Sequence, residues 1–202
     1  LIILGLDIST SNIGFCVLKT QSGCDDVLVY AEGLPLTKVR GMYAKAEVFK
    51  ERLTKISDIV FERTDLKIEA VVIEASLQAF RRNMSSAATI SKLNRFNGIV
   101  SYISRSFLEV PVHMVNVISA RKQVGLKLDK NLEKNTKEQV LEWTRNQETM
   151  ISFPWPTKVL KSGPRKGTTR YEDFCFDIAD AFVVARWGSK FLKIDELDAN
   201  NV

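Results

Sequence analysis

The chain has 202 residues, 45% of them hydrophobic, enough to bury a full core in one globular unit over 1–192 with a tail over 193–202. Lys and Arg outnumber Asp and Glu by 29 to 24, a net charge of +5 that favours a polyanionic partner such as nucleic acid. Three cysteines without paired spacing (Cys16, Cys24, Cys175) argue against a disulfide framework or zinc site and for a reducing, intracellular setting. No apolar run approaches the roughly 18 residues of a membrane span, and the apolar start lacks the basic flank of a signal peptide.

Three strands are expected first, over 1–7, 13–19 and 27–34, separated by polar turns at 9–12 and 21–26. Apolar residues at spacings near 3.6 (Ala44, Val48, Leu53, Ile56, Ile59) predict a helix over 39–63. A continuous apolar run over 68–74 fits a strand covered on both faces. A helix over 84–107, a strand over 110–117 and helices over 119–125 and 136–147 follow. The stretch 152–170 holds Pro154, Pro156, Gly163, Pro164 and Gly167 and reads as a long, partly mobile loop. A last helix spans 173–191. The order is that of an α/β chain with a mixed sheet.

Acids end two of the apolar runs: Asp7 closes Ile2-Ile3-Leu4-Gly5-Leu6, and Glu74 closes Val71-Val72-Ile73. In the last helix Asp177 and Asp180, at i and i+3, share one face amid Phe174, Phe176, Ile178 and Phe182. Carboxylates at strand ends or in a first helical turn often serve only as caps or solvated ends. Four flanked by apolar sequence are different, because unpaired carboxylates there are expensive and call for positive charge. A divalent metal supplies it, and an all-oxygen set suits Mg2+ or Mn2+. Two ions about 4 Å apart are the usual device for in-line attack on a phosphodiester.

Taken in order, Leu6-Asp7-Ile8-Ser9-Thr10-Ser11-Asn12-Ile13-Gly14-Phe15, Val72-Ile73-Glu74 and Asp177-Ile178-Ala179-Asp180-Ala181 resemble the RuvC-type Holliday junction resolvases of the RNase H-like superfamily. The resemblance implies an RNase H-like fold, a five-stranded sheet of a three-strand antiparallel meander plus two parallel strands, flanked by helices. It implies that Asp7, Glu74, Asp177 and Asp180 hold two Mg2+ ions per site, with Mn2+ able to substitute. Its implied activity is a structure-selective endonuclease, a homodimer that cuts four-way DNA junctions by paired symmetric nicks and leaves 5′-phosphate and 3′-hydroxyl ends. Relatives of this kind are bacterial, phage, viral and organellar, so the compartment would be cytoplasm and nucleoid, an organelle or a viral factory. Ser119 to Gly125 and Asn135 to Val140 resemble the family's basic segments, which makes Arg121, Lys122 and Lys137 phosphate contacts and Lys137 also a catalytic candidate. The family often has an aromatic wedge soon after the glutamate; here Phe80, six positions on, is either that wedge or a core residue or loop anchor.

Further bases flank the acids: Arg81 and Arg82 after Glu74, and Lys158, Lys161, Arg165, Lys166 and Arg170 in the Gly- and Pro-rich stretch. They form either a DNA channel with salt-dependent affinity or a solvated surface. Trp155 and Tyr171 either stack on bases or anchor the loop, His113 reads as a sheet histidine before a ligand, the cysteines as core fillers, and Ser9, Thr10, Ser11 and Asn12 as the residues that order the turn after Asp7, with contact to metal-bound water the lesser alternative. Small residues Ser85, Ser86, Ala87, Ala88 and Gly98 mark one helix as a dimer face or as ordinary packing. Two other activities compete with the nuclease: an actin-like or sugar-kinase ATPase meeting phosphate at Asp7, and an inactive branched-DNA-binding relative.

Overall fold

Strands β1 (Ile2–Ile8), β2 (Asn12–Lys19) and β3 (Val27–Pro35) form an antiparallel meander, followed by helix α1 (Met42–Thr64), strand β4 (Ala70–Glu74), helix α2 (Ala87–Leu108) and strand β5 (Val112–Val115). Helices α3 (Val117–Gln123) and α4 (Thr136–Arg145), a short 3-10 turn (Glu148–Met150), strands β6 (Thr157–Val159) and β7 (Thr169–Tyr171) and helix α5 (Phe174–Phe191) follow. The computed structural model describes residues 1–20, 25–75, 87–164 and 166–192. Cys24, Phe80, Arg81, Arg82, Ser85, Ser86, Arg165 and the tail 193–202 lie outside the described residues.

The main sheet runs β3-β2-β1-β4-β5, with β4 parallel to β1 and β5 parallel to β4. This is the expected mixed five-stranded sheet. Its continuous apolar runs arise because both faces are covered. On one face Leu4, Leu6, Phe15, Val17, Val71 and Ile73 meet Phe49, Leu53, Ile56 and Val60 of α1 and Phe96 and Val100 of α2, with Phe15 stacked on Phe49 at 5.8 Å. On the other, Ile3 and Val72 meet Ala179, Val183 and Val184 of α5, Ala120 of α3, and Val140 and Leu141 of α4. Each such fully buried Val, Leu, Ile or Phe side chain contributes roughly 1.5–3 kcal/mol. Helix α5 is buried on nearly every side, between the sheet and α3 and α4, which explains a sequence apolar all round.

The stretch expected as a loop over 152–170 contains the β6–β7 hairpin instead, with Thr157 opposite Tyr171 and Val159 opposite Thr169. Leu160 and Gly167 close its turn through Leu160 N to Thr168 O (3.0 Å) and Gly167 N to Leu160 O (2.8 Å). Strands of three residues are too short to show alternation, and the breakers that suggested a loop make the turn: Gly163 and Gly167 both have positive φ. The strand expected over 110–117 shrinks to Val112–Val115 because Asn116 caps α3, its side chain accepting from Ile118 N and Ser119 N. The same cap starts α3 at Val117 rather than 119. Helix α1 begins at Met42, three residues later than expected, after Gly41 at φ +89. None of the described helices is long and apolar enough to cross a membrane.

Candidate active site

Leu6 of β1 pairs with Ile73 of the parallel strand β4, so Asp7 and Glu74 are the next residues on neighbouring strands and leave the sheet on the same face. The antiparallel partner of Asp7 is Gly14. A Cβ on Gly14 would lie 2.0 Å from the Asp177 carbonyl oxygen, and one on Gly5 2.2 Å from that of Ala181. Helix α5 therefore rests backbone to backbone on β1 and β2, an approach only a residue without a side chain permits. This seat brings Asp177 and Asp180, one turn apart on α5, to Asp7 and Glu74.

The turn after Asp7 is fixed locally. Ser9 Oγ donates to Asn12 O (2.8 Å) and accepts from Asn12 N (2.9 Å), while Ser9 N donates to Asn12 O (3.0 Å), as the sequence predicts for its hydroxyl. Lys45 of α1 donates to Thr10 O. Buried Asn97 of α2 donates to the Glu74 carbonyl at 3.2 Å and holds the end of β4.

The four carboxylates crowd one another. Burial, then the charges of Asp180, Glu74 and Asp177, hold the half-buried Asp7 well above the usual carboxylate range. Burial and then Asp180 push Glu74 up to about 7. Asp177 is also raised, by burial first and by Asp180, while Lys137 and hydrogen bonds from Asp7 and Asn12 draw it back. Asp177 and Asp180 are each only 6% exposed, and Asp177 Oδ2 has no hydrogen-bond partner. Arg121 of α3 meets Asp180 at 2.7 Å, both side chains well shielded at 14% and 8% exposure.

Among the described residues, no three acidic, histidine or cysteine side chains already stand in ion-holding geometry, and Asp180 Oδ1 is committed to Arg121. The donor chemistry nevertheless fits a hard divalent cation. Four carboxylates converge, their pKa values rise for want of positive charge, and one buried oxygen is unsatisfied. Asp7, Glu74, Asp177 and Asp180 are the residues that would hold it.

The bases divide. Lys137 lies in the first turn of α4, which a capping box of Asn135 and Glu138 secures, and its charge reaches Asp7, Glu74 and Asp177. Arg121 faces inward to Asp180, whereas its neighbour Lys122 is exposed. Lys158 pairs with Glu172 (3.1 Å) and Asp173 (2.8 Å), and Arg170 with Asp173, so these two bases brace the hairpin against the start of α5. Lys161 and Lys166 stay exposed at the hairpin turn. Trp155 packs edge-on against Phe153 at 4.9 Å and Tyr171 lies under Arg145 at 4.7 Å, so both rings have partners within the fold. Cys16 and Cys175 are buried and free, and His113 is half-buried in β5.

The Arg121–Asp180 pair, the Asn12 contact to Asp177 and the glycine seat of α5 are absent from the sequence-based reading. For the seat a signal existed: Gly5 and Gly14 interrupt strong strands, and small Ala179, Ala181 and Ala185 punctuate the helix.

No family sequence model and no curated protein sequence matches this chain. Solved structures do. Thermus thermophilus RuvC in complex with a Holliday junction substrate is 16% identical, covers 94% of this chain and 96% of its own, and superposes with a TM-score of 0.59. A second Thermus thermophilus RuvC structure gives 17% identity, the same coverage and a TM-score of 0.58. The yeast mitochondrial Holliday junction resolvase Ydc2 gives 14% identity, 93% and 77% coverage and a TM-score of 0.54. At these identities the likeness is one of architecture, and this chain has the RuvC-type, RNase H-like fold.

Proposed function

We propose that the chain is a metal-dependent, structure-selective DNA endonuclease that resolves four-way junctions by paired symmetric nicks. The observation that carries this reading is the convergence of Asp7, Glu74, Asp177 and Asp180 at one edge of a RuvC-type sheet, with burial and mutual repulsion raising the pKa of the first three. The chemistry gained from two Mg2+ ions there, or Mn2+ in their place, is an activated water and charge neutralisation beside the departing 3′ oxygen, leaving 5′-phosphate and 3′-hydroxyl ends. The chain's own residues do the rest. The four acids present oxygens on one rigid face, Asn12 and Ser9 hold the turn, and Lys137 adds positive charge from the N-terminal turn of α4, where a phosphate is also favoured. Lys122, Lys161 and Lys166, with Arg81, Arg82 and Arg165, supply sequence-blind phosphate contacts, Arg121 a further one when it is free of Asp180, and Phe80 the wedge at the branch point.

A junction offers two equivalent strands, so a two-fold homodimer places one site on each. The outward face of α2 supports that assembly: Gly98 faces open space, and with Ile99, Tyr102, Met42 and Tyr43 it forms a largely apolar hollow, Tyr43 and Tyr102 being strongly exposed. The kinase-like reading needs two lobes, whereas the described residues form one five-stranded sheet and a two-stranded hairpin.

The test is incubation of the purified protein with labelled four-way, three-way, flap and duplex DNA in Mg2+, Mn2+ or EDTA. Paired, symmetric nicks on the four-way substrate that require the metal are expected. Binding without cleavage would make the chain an inactive relative, and ATP hydrolysis without cleavage would overturn the nuclease reading.

A further inference from the structure

Arg121 occupies an unusual position for a base on a nucleic-acid-binding surface. It projects from the last turn of α3, which Asn116 caps directly after β5 and which packs on α5 through Ala120. Its Nη2 reaches Asp180 Oδ1 at 2.7 Å, while its buried Nε has no hydrogen-bond partner. The guanidinium is thus drawn inward by one carboxylate and left under-satisfied elsewhere, although it is a fork that normally binds oxygens in pairs. Its charge also acts on Glu74, so it serves the cluster and not Asp180 alone.

We propose that Arg121 is a resident counter-cation of the acid cluster, a positioning residue that holds Asp180 in the ion-free protein and competes with a divalent ion for it. The inference rests on the metal-dependent nuclease reading. A guanidinium stays charged at any ordinary pH and cannot yield Asp180 by losing a proton. It has to be displaced, and loading of the site is opposed until it moves. In the empty site the same contact offsets the repulsion among buried carboxylates, so the cluster is tolerated without metal.

Calorimetric titration of Mn2+ into DNA-free protein tests this. Arg121→Gln should bind Mn2+ about 10-fold more tightly than wild type, because one positive charge beside the ion is gone. The gain should shrink when the same exchange is made in an Asp180→Asn background and compared with Asp180→Asn alone, because Arg121 then has no Asp180 carboxylate to hold. Should Arg121→Gln fail to fold, the wild-type protein answers by NMR: saturating Mg2+ should shift the Arg121 Nε–Hε signal, and an unmoved signal would overturn the proposal. Equal or weaker Mn2+ binding by a folded Arg121→Gln also overturns it and leaves the nuclease reading standing. No Mn2+ binding by either protein overturns both.

Discussion

Asp7 feels three other carboxylates at once, so exchanging it for Asn removes a metal-binding charge and relieves repulsion without adding bulk. Asp7→Asn should abolish cleavage in the labelled-junction assay while junction binding stays intact or tightens. Its melting temperature in EDTA should hold or rise. Glu74 carries a pH signature. Its carboxyl titrates near 7 in the folded protein against an ordinary 4.5, so between those values the folded state keeps a proton that the unfolded chain has lost. The stability of the metal-free protein should therefore be fully present below about 4.5 and fall as pH rises through 7, by an amount on the order of 3 kcal/mol from this group. Denaturant titrations in EDTA from pH 4 to 8 measure it, and Glu74→Gln should flatten much of the slope. Asp7 and Glu74 are legible in the sequence because each ends an apolar run, and Asp177 and Asp180 because each interrupts an apolar helix. The Arg121–Asp180 contact is not legible. It joins residues 59 apart through the docking of α3 on α5, which no local pattern encodes.

Among the elements, α5 has the tightest seat. The Asp177 carbonyl lies where a Gly14 side chain would be, and both atoms belong to backbone that cannot rotate away. Gly14→Ala should lift the first turn of α5, costing about 1–3 kcal/mol in urea denaturation. Cleavage should fall with it, because Asp177 sits on that turn. Gly98→Ala, whose Cβ meets open space and suits a helix interior, should hold or raise monomer stability in the same experiment. Long elements with a clear period (α1, α2, β1, β2) are readable from the sequence to within a few residues. The β6–β7 hairpin is not, since its strands carry too few residues for a pattern and its anchors, the packing of Tyr171 and the bridges from Lys158 and Arg170 to Glu172 and Asp173, are not encoded in strand periodicity.

At the scale of the whole molecule, the excess of positive charge is distributed unevenly in role. Lys122 and Lys137 are both exposed, and Lys137 also acts on the acids. Lys122→Ala and Lys137→Ala should both weaken junction binding and reduce the dependence of log K on log salt by about 0.9 for each phosphate no longer neutralised. Only Lys137→Ala should also slow cleavage at saturating protein, measured in single turnover. An unchanged salt slope in both would move the DNA path toward Lys161 and Lys166. The fold class follows from the order of apolar runs, because a meander followed by helix-linked strands has few ways to pair. How closely the last helix would approach the first strand does not follow from that order.

That approach bears on how the protein is made. Asp177 leaves the ribosome about 170 residues after Asp7, so the cluster contains a contact of very high sequence separation. Until α5 has been synthesised and has settled on Gly5 and Gly14, Asp7 and Glu74 stand at the end of a half-covered sheet without their partners. The acid cluster is in this sense a certificate of completed folding: a truncated or stalled chain carries its first two acids but not the set.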